Sequence, residues 1–327
     1  MLTTHGKMRA LALVWLFFVL EWCNAERIVV LGVLGTKSHK ISYMPIAEAL
    51  AAKGHQVTVF SPYKATKTVS NLREVQIKNA FDEHPFNMFE YEEQNYLTVT
   101  MNFISDFSDM TKEAYEAIRY NEEFLRIIDE RDVDLFIIDG VINDFMYPFP
   151  YHMKLPFILY SAPSEMCHSV EAMGIPKYYA SVPEGSTDLL DEMDFFERMT
   201  NMISCELMLL IKRYGLNGPM EKLVALDFPH LPSLETIERN ASLLLINHNS
   251  VTSYNRPFPP NVIPISGLHI RPSQPLPKVI NPLHGEKSHI SNMFSRPTSG
   301  FTRVRGPINQ RIRGRQLWVD RERVFNA

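Results

Sequence analysis

The chain of 327 residues contains only three Cys, which excludes a small scaffold held together by several disulfides. Its formal net charge of −4 excludes a strongly basic chain, so we expect no nucleic-acid partner. The motifs H-E-x-x-H, G-x-S-x-G and C-x-x-C are absent, and no G-x-G-x-x-G follows the first apolar run. The sequence therefore predicts neither a metal site nor a bound dinucleotide cofactor.

Hydrophobic residues make up 45% of the chain and charged residues 21%, which is typical of a globular protein. Charge and Pro are unevenly distributed, however. Residues 280–327 contain nine Lys and Arg but only three Asp and Glu, whereas the rest of the chain is acidic. We predict a Pro-rich linker over 256–289 and a disordered basic tail over 290–327.

The N-terminal segment has the pattern of a secretory signal peptide. Lys7 and Arg9 precede an apolar run over 10–20, and small residues follow at Cys23-Asn24-Ala25. We predict that residues 1–25 are removed and that the chain enters the secretory pathway, in the endoplasmic reticulum lumen or secreted. An N-terminal anchor or a buried helix is the alternative. No second apolar run of about 20 residues occurs, so we expect no C-terminal membrane anchor.

Two Cys remain after removal of a signal peptide, Cys167 and Cys205. An oxidising compartment would permit a disulfide between them. Free Cys also behaves as a small buried hydrophobic residue, which is the other interpretation. Because the sequence carries no information on the distance between the two side chains, both interpretations stay open.

Apolar runs alternate with helical patterns, which predicts an α/β protein with a Rossmann-like open parallel sheet and helices on both faces. We assign this domain to residues 26–255. The predicted strands are 27–34, 56–60, 134–139, 156–160 and 242–246, and the predicted helices are 41–53, 111–131 and 189–214.

The last of these helical segments has an apolar stripe, which we interpret as a core face, with a groove for an apolar ligand as the alternative. Its members recur at helical spacing: Met193, Phe196, Met199, Ile203, Leu207 and Leu210.

Two polar residues follow or end predicted strands of the sheet, at the edge where ligands bind. His39 lies in the loop after the first strand, where the positive end of a helix dipole would keep its imidazole neutral. Asp139 ends another strand and could orient that imidazole as it takes a proton from a substrate hydroxyl. Either residue could instead cap a helix or lie on the surface, and Asp144 is a rival partner for His39.

The order of these segments closely resembles the N-terminal half of family 1 UDP-glycosyltransferases, the animal glucuronosyl- and glucosyltransferases, most of all the arthropod members. The signal peptide leads into Arg27-Ile-Val-Val-Leu-Gly32, and Gly35-Thr-Lys-Ser-His39 looks like the catalytic-histidine loop of the family. The further matches are Gly54-His-Gln-Val-Thr-Val-Phe-Ser-Pro62, Asp134-Leu-Phe-Ile-Ile-Asp139, and the interdomain-like passage from Asn247 through 256–267 to 275–278.

This resemblance implies the N-terminal half of a GT-B fold. His39 would be the base that deprotonates an acceptor hydroxyl, and Asp139 would be its orienting partner. The reaction would transfer a hexose from a UDP-sugar, a co-substrate rather than a cofactor, to a small lipophilic acceptor with inversion. Segments 81–102 and 189–214 would line the acceptor pocket.

The resemblance stops after Lys278, where neither the W-x-P-Q nor the H-x-G-x-N pattern of the family's UDP-sugar-binding domain is found. We therefore expect this chain to be incomplete or inactive alone. It would use a UDP-sugar only if another chain supplies the donor site, and it would be able to pair with full-length relatives. The alternatives are a non-catalytic half-transferase that binds lipophilic ligands and an unrelated secreted α/β binding protein.

Overall fold

The computed structural model describes residues 25–65, 67–83, 96–163, 167–185, 187, 189–251 and 253–271. Side chains are described over the same ranges except at 83, 96–103 and 167–169. The predicted signal peptide, apart from Ala25, lies outside these residues, as do 272–289 of the predicted linker and the whole predicted tail. The chain divides into two compact units, and every element below belongs to the first, 1–86 with 94–270.

A seven-stranded sheet forms the centre of this unit, and all its paired strands run parallel. The spatial order is β3-β2-β1-β4-β5-β6-β7, so the order reverses between β1 and β4. This confirms the predicted Rossmann-like fold. The strands are β1 (Arg27–Leu31), β2 (Gln56–Ser61), β3 (Leu72–Gln76), β4 (Leu135–Asp139), β5 (Phe157–Ser161), β6 (Leu243–Ile246) and β7 (Val262–Pro264).

The structure differs from the sequence prediction at β7, which lies within the segment 256–289 that we interpreted as a linker. Val262 is buried, and β7 pairs with β6 through Leu244 and Val262. Pro264 stands at the end of this outermost strand, where a missing N–H interrupts no ladder. The high Pro content of the segment is therefore compatible with one short edge strand.

The helices flank the strands and include one π-helical turn, which continues α7 without a break. Their bounds are α1 (Lys37–Ala52), α2 (Ala80–Glu83), α3 (Tyr96–Arg119), α4 (Glu122–Glu130), a 3-10 turn (Asp144–Met146), α5 (Pro148–Met153), α6 (Cys167–Ala172), α7 (Phe195–Leu210), the π-helix (Ile211–Asn217), α8 (Gly218–Val224) and α9 (Leu234–Glu238).

Helix α1 begins at Lys37, four residues before the predicted start at Ile41. Pro45 lies inside the helix, where it cannot donate to the carbonyl of Ile41. The predicted single helix over 111–131 is instead two helices, since Asn121 caps a new one by accepting a hydrogen bond from the Phe124 N–H.

Both faces of the sheet are covered, as alternation along β1 shows. Ile28 and Val30 pack in one apolar cluster with residues of α1, such as Tyr43 and Ala47. Val29 and Leu31 pack in a second, larger cluster on the other face, with residues of α3, α4 and α5. Alternate side chains of a strand point to opposite faces, so this central strand is buried on both sides.

The expected core face of α7 is wrong for all but the first residue of the stripe. Among the described side chains, Met193 is buried, but Phe196, Met199, Ile203, Leu207 and Leu210 are all exposed. The helix turns its other face inwards, through buried Asn201 and Cys205. Asn201 bonds three backbone groups, which fixes this orientation despite the outward apolar stripe.

Cys205 is buried and disulfide-bonded, which excludes a free thiol at this position. The side chain of Cys167 lies outside the described residues. Among the helices that the structure describes, none combines the length and apolar character needed to cross a membrane.

Candidate active site

The candidate site lies at the carboxyl ends of β1 and β4, the neighbouring strands between which the order of the sheet reverses. Such a reversal leaves a crevice between the loops that follow the two strands, and ligands of open α/β sheets bind there. The loop after β1 leads into α1, whose third residue is His39. Asp139 is the last residue of β4. The sheet thus brings together two residues that are 100 positions apart.

The two side chains are in direct contact. His39 Nδ1 lies 2.6 Å from Asp139 Oδ2, a short hydrogen bond in which a protonated Nδ1 donates to the carboxylate. The other oxygen, Oδ1, accepts from the Val141 N–H at 3.3 Å. The Asp139 side chain is 1% exposed and that of His39 is 20% exposed, so the carboxylate is enclosed while part of the imidazole faces outwards.

The pKa of His39 is raised above its ordinary value of 6.5. Burial opposes the charged imidazolium and by itself lowers this pKa, but the hydrogen bond to Asp139 and its negative charge together raise it by more. The net direction is opposite to the one expected from the N-terminus of α1 alone. The carboxylate is in contact with the ring, whereas the helix end carries only a partial charge.

At Gly35, the main chain passes close to the side chains of His39 and Asp139. A Cβ atom there would lie 3.4 Å from His39 Cβ and 3.6 Å from Asp139 Oδ2, so any side chain would pack directly on the pair. The Gly35 carbonyl accepts a hydrogen bond from the Tyr63 hydroxyl at 3.2 Å, which ties the loop to the segment after β2. The start of α1 is thereby anchored on its β2 side.

Asn143 anchors the same loop on its β4 side, and sequence reasoning missed this residue. Its Oδ1 accepts from the Leu34 N–H at 2.7 Å and its Nδ2 donates to the Leu34 carbonyl at 2.8 Å. The side chain is completely buried. Asn is common in loops for many reasons, and nothing in the sequence distinguishes this one from an ordinary turn residue.

Asp144, the rival partner for His39, forms an ion pair with Lys212 instead. It is buried and pairs with Lys212 Nζ at 2.9 Å, and the same ammonium group contacts Glu238 Oε2 at 2.8 Å. Lys212 lies in the π-helical turn. The structure therefore identifies Asp139, not Asp144, as the carboxylate that contacts His39.

Lys40, the residue after His39, helps to hold the first turns of α1. Its ammonium group forms a nearly enclosed ion pair with Glu74 of β3 at 2.6 Å and donates to the Tyr63 carbonyl at 2.6 Å. In the described part of the chain, no group of three or more His, Cys, Asp or Glu is arranged to hold a metal ion.

One known protein family matches most of this chain. A sequence profile described as UDP-glucoronosyl and UDP-glucosyl transferase matches residues 26–286. UDP-glycosyltransferase UGT5 of Dactylopius coccus is 29% identical over 273 residues, which are 80% of this chain and 51% of that one. UDP-glucuronosyltransferase 1-2 of Rattus norvegicus is 26% identical over 281 residues, which are 81% of this chain and 51% of that one.

Among solved structures, Medicago truncatula UGT71G1 complexed with UDP-glucose aligns with a TM-score of 0.42 at 13% identity, over 80% of this chain and 56% of that one. The chain spans about half the length of the curated relatives named above. The family profile nevertheless covers most of the chain, including α1, which carries His39, and β4, which ends at Asp139. The chain therefore belongs to the UDP-glycosyltransferase family.

Proposed function

We propose that this chain activates the acceptor in hexose transfer from a UDP-sugar to a hydroxyl group of a small lipophilic molecule. The observation that carries the proposal is the 2.6 Å contact between His39 Nδ1 and Asp139 Oδ2. This contact fixes the tautomer in which Nδ1 is protonated and Nε2 carries a lone pair. Among the described residues, no hydrogen bond to Nε2 is formed, and the imidazole is partly exposed.

In the proposed step, His39 Nε2 takes the proton of the acceptor hydroxyl as its oxygen attacks the anomeric carbon of the sugar. The bond between that carbon and the UDP oxygen breaks, and UDP leaves with the bonding electrons. Attack from the face opposite the leaving group inverts the configuration. Asp139 stabilises the imidazolium that forms, and the raised pKa of His39 reflects this stabilisation.

Because the chain spans about half the length of its named relatives, donor binding is itself a proposal. A UDP-sugar would be bound with a donor site from another chain, such as a full-length relative. We place the reaction in the secretory pathway, on the strength of the signal-peptide pattern over 1–25.

The test incubates the purified chain with labelled UDP-glucose or UDP-glucuronate and a phenol, alone and mixed with a full-length relative inactivated in its own N-terminal half. We expect transfer that falls by about 10²–10⁴-fold in His39→Ala. His55→Ala is the matched control, because His55 Nδ1 accepts from the Glu26 N–H, near the opposite ends of the strands. Transfer that persists in His39→Ala would remove His39 from the mechanism.

A second candidate function is a non-catalytic half-transferase that binds lipophilic ligands or pairs with relatives. One observation favours it: the exposed apolar residues along α7. Calorimetry with UDP alone separates the candidates, since tight UDP binding by the isolated chain contradicts the half-transferase. Binding of a phenol without transfer under either condition of the assay supports it.

A further inference from the structure

The chain segments 32–39, which ends at His39, and 139–143, which begins at Asp139, are joined by few direct contacts. The pairing of β1 with β4 ends at Leu31 and Ile138, before either segment begins. Beyond that point, three described hydrogen bonds join segments 32–39 and 139–143. They are the bond of His39 with Asp139 and the two bonds of Asn143 with Leu34. Asn143 thus makes two of the three bonds.

The position of this clamp connects it to the pair. Leu34 precedes Gly35, where an added Cβ would lie 3.4 Å from His39 Cβ and 3.6 Å from Asp139 Oδ2, and Asn143 follows Asp139 by four residues. A shift of the Leu34 backbone would move Gly35 and the start of α1 relative to β4. Because each bond of the clamp is short and the side chain is fully enclosed, there is little room for such a shift.

We propose that Asn143 is a positioning residue that holds the Leu34 backbone against the loop after β4 and so sets the separation of His39 Nδ1 and Asp139 Oδ2. The inference rests on the proposed function, because the separation matters for transfer only if His39 is the base. Asn143 does not itself contact an acceptor in this scheme. It acts through the main chain that carries His39.

A purely structural role is the competing explanation, and the molecule provides a matched control for it. Asn201 of α7 is also buried, and its side chain also clamps the backbone. Its Oδ1 accepts from the Glu184 N–H at 2.7 Å, and its Nδ2 donates to the carbonyls of Tyr179 and Val182 at 2.8 Å. It bonds neither His39 nor Asp139. Loss of either clamp leaves buried backbone groups without partners, so both losses should destabilise the fold.

The experiment titrates His39 by NMR in the full chain, with His39→Gln to assign its signal. In Asn143→Ala we expect the pKa of His39 to fall towards its ordinary value, because Asp139 is no longer held against the ring. In Asn201→Ala we expect the titration of His39 to be unchanged. Thermal unfolding should show a lowered midpoint for both variants. In the transfer assay, Asn143→Ala should lower kcat by up to about 10²-fold with little change in KM.

An unchanged His39 titration in folded Asn143→Ala would overturn the proposal. If that variant does not fold, Asn143→Ser, whose hydroxyl can retain one of the two bonds, takes its place with an intermediate shift expected. The titration also separates this proposal from the proposed function. If Asp139→Asn leaves the titration of His39 unchanged, the pair itself is not formed. If transfer is absent while the titrations behave as expected, the clamp stands and the proposed reaction does not.

Discussion

At the scale of single residues, the rate of the proposed transfer depends on how strongly Asp139 favours the charged form of His39. A base must be neutral to accept a proton, so a raised pKa moves the onset of activity to higher pH than an ordinary imidazole would show. The same carboxylate stabilises the imidazolium once the proton has moved. In the proposed reaction, Asp139 therefore increases the rate of transfer at pH values above the pKa of His39 and decreases it at pH values below that pKa.

Replacing Asp139 with Asn tests this balance. The amide keeps the size of the side chain but removes its charge, so the pKa of His39 should fall and the acidic limb of kcat/KM should move to lower pH. An amide can also donate to Nδ1 and hold the wrong tautomer, so we expect the plateau to drop by up to about 10⁴-fold. The measurement is the pH dependence of transfer. An acidic limb in the same place as in the unmodified chain would contradict the assignment of Asp139.

Glu238 gives a second prediction, because it shares the buried ammonium group of Lys212 with Asp144. Burial raises the pKa of Glu238 to about 7, since the attraction of Lys212, shared with Asp144, does not compensate fully for the loss of water. A carboxyl whose pKa is higher in the folded state holds its proton there after the unfolded chain has released it. Its contribution to the free energy of unfolding therefore declines from about pH 4.5 to about pH 7.

In Glu238→Gln this decline should disappear, so the difference in unfolding free energy between the two chains should change between pH 4.5 and 7. Urea unfolding at several pH values measures it. Glu235→Gln is the control with the opposite sign, because a hydrogen bond from Arg213 lowers the pKa of Glu235, and its stabilising contribution is lost only as the pH falls below about 4.5. Parallel stability curves for Glu238→Gln and the unmodified chain would show that Glu238 stays ionised.

At the scale of the elements, the turn that leaves β1 depends on close packing against α1. A Cβ atom at Gly32 would overlap the Tyr43 hydroxyl, and Tyr43 is buried. Gly32→Ala should therefore displace the ring and cost about 1–3 kcal/mol of unfolding free energy. Gly185→Ala is the control, since a Cβ there meets nothing within 4 Å. Equal unfolding midpoints for the two variants would contradict this packing.

Helix α7 gives the second prediction at this scale, because its apolar stripe is turned outwards. Ile203 is 56% exposed, so Ile203→Asn should change the unfolding free energy by no more than about 0.5 kcal/mol. A buried Ile replaced in the same way would cost several times more. Ile237 of α9, which is fully buried, is the reference position for that comparison. A large loss in Ile203→Asn would mean that this face is covered.

At the scale of the whole molecule, the seven strands that the structure describes lie within residues 27–264. A chain that ends after Arg271 should therefore retain its helical circular dichroism signal and a cooperative thermal transition. A chain that ends after Ser250 loses β7 and leaves β6 as the edge strand, with the cluster around Val262 open to water. We expect a lower unfolding midpoint for that shorter chain. Loss of the transition in the chain ending at Arg271 would show that later residues belong to the folded unit.

Much of this architecture was predictable from local pattern. Strands β1, β2, β4, β5 and β6 are apolar runs of the kind that a sheet buried on both faces requires, and the alternation with helices indicated a parallel order. Strand β3 was not predicted, because Arg73, Glu74 and Gln76 give it the composition of a polar loop. The enclosed side chain of Glu74 forms an ion pair with Lys40 of α1, and no local sequence pattern predicts that contact.

The end of β4 at Asp139 and the polar segment after β1 that leads to His39 were predictable from the sequence alone, because hydrophobic runs and polar breaks are properties of short segments. Three contacts were not predictable without the fold: Asp139 rather than Asp144 contacts the imidazole, Asn143 clamps Leu34, and Asn201 of α7 points inwards. Each of these depends on groups far apart in the chain. Their energies come from burial and hydrogen-bond geometry, which exist only after the sheet has brought the groups together.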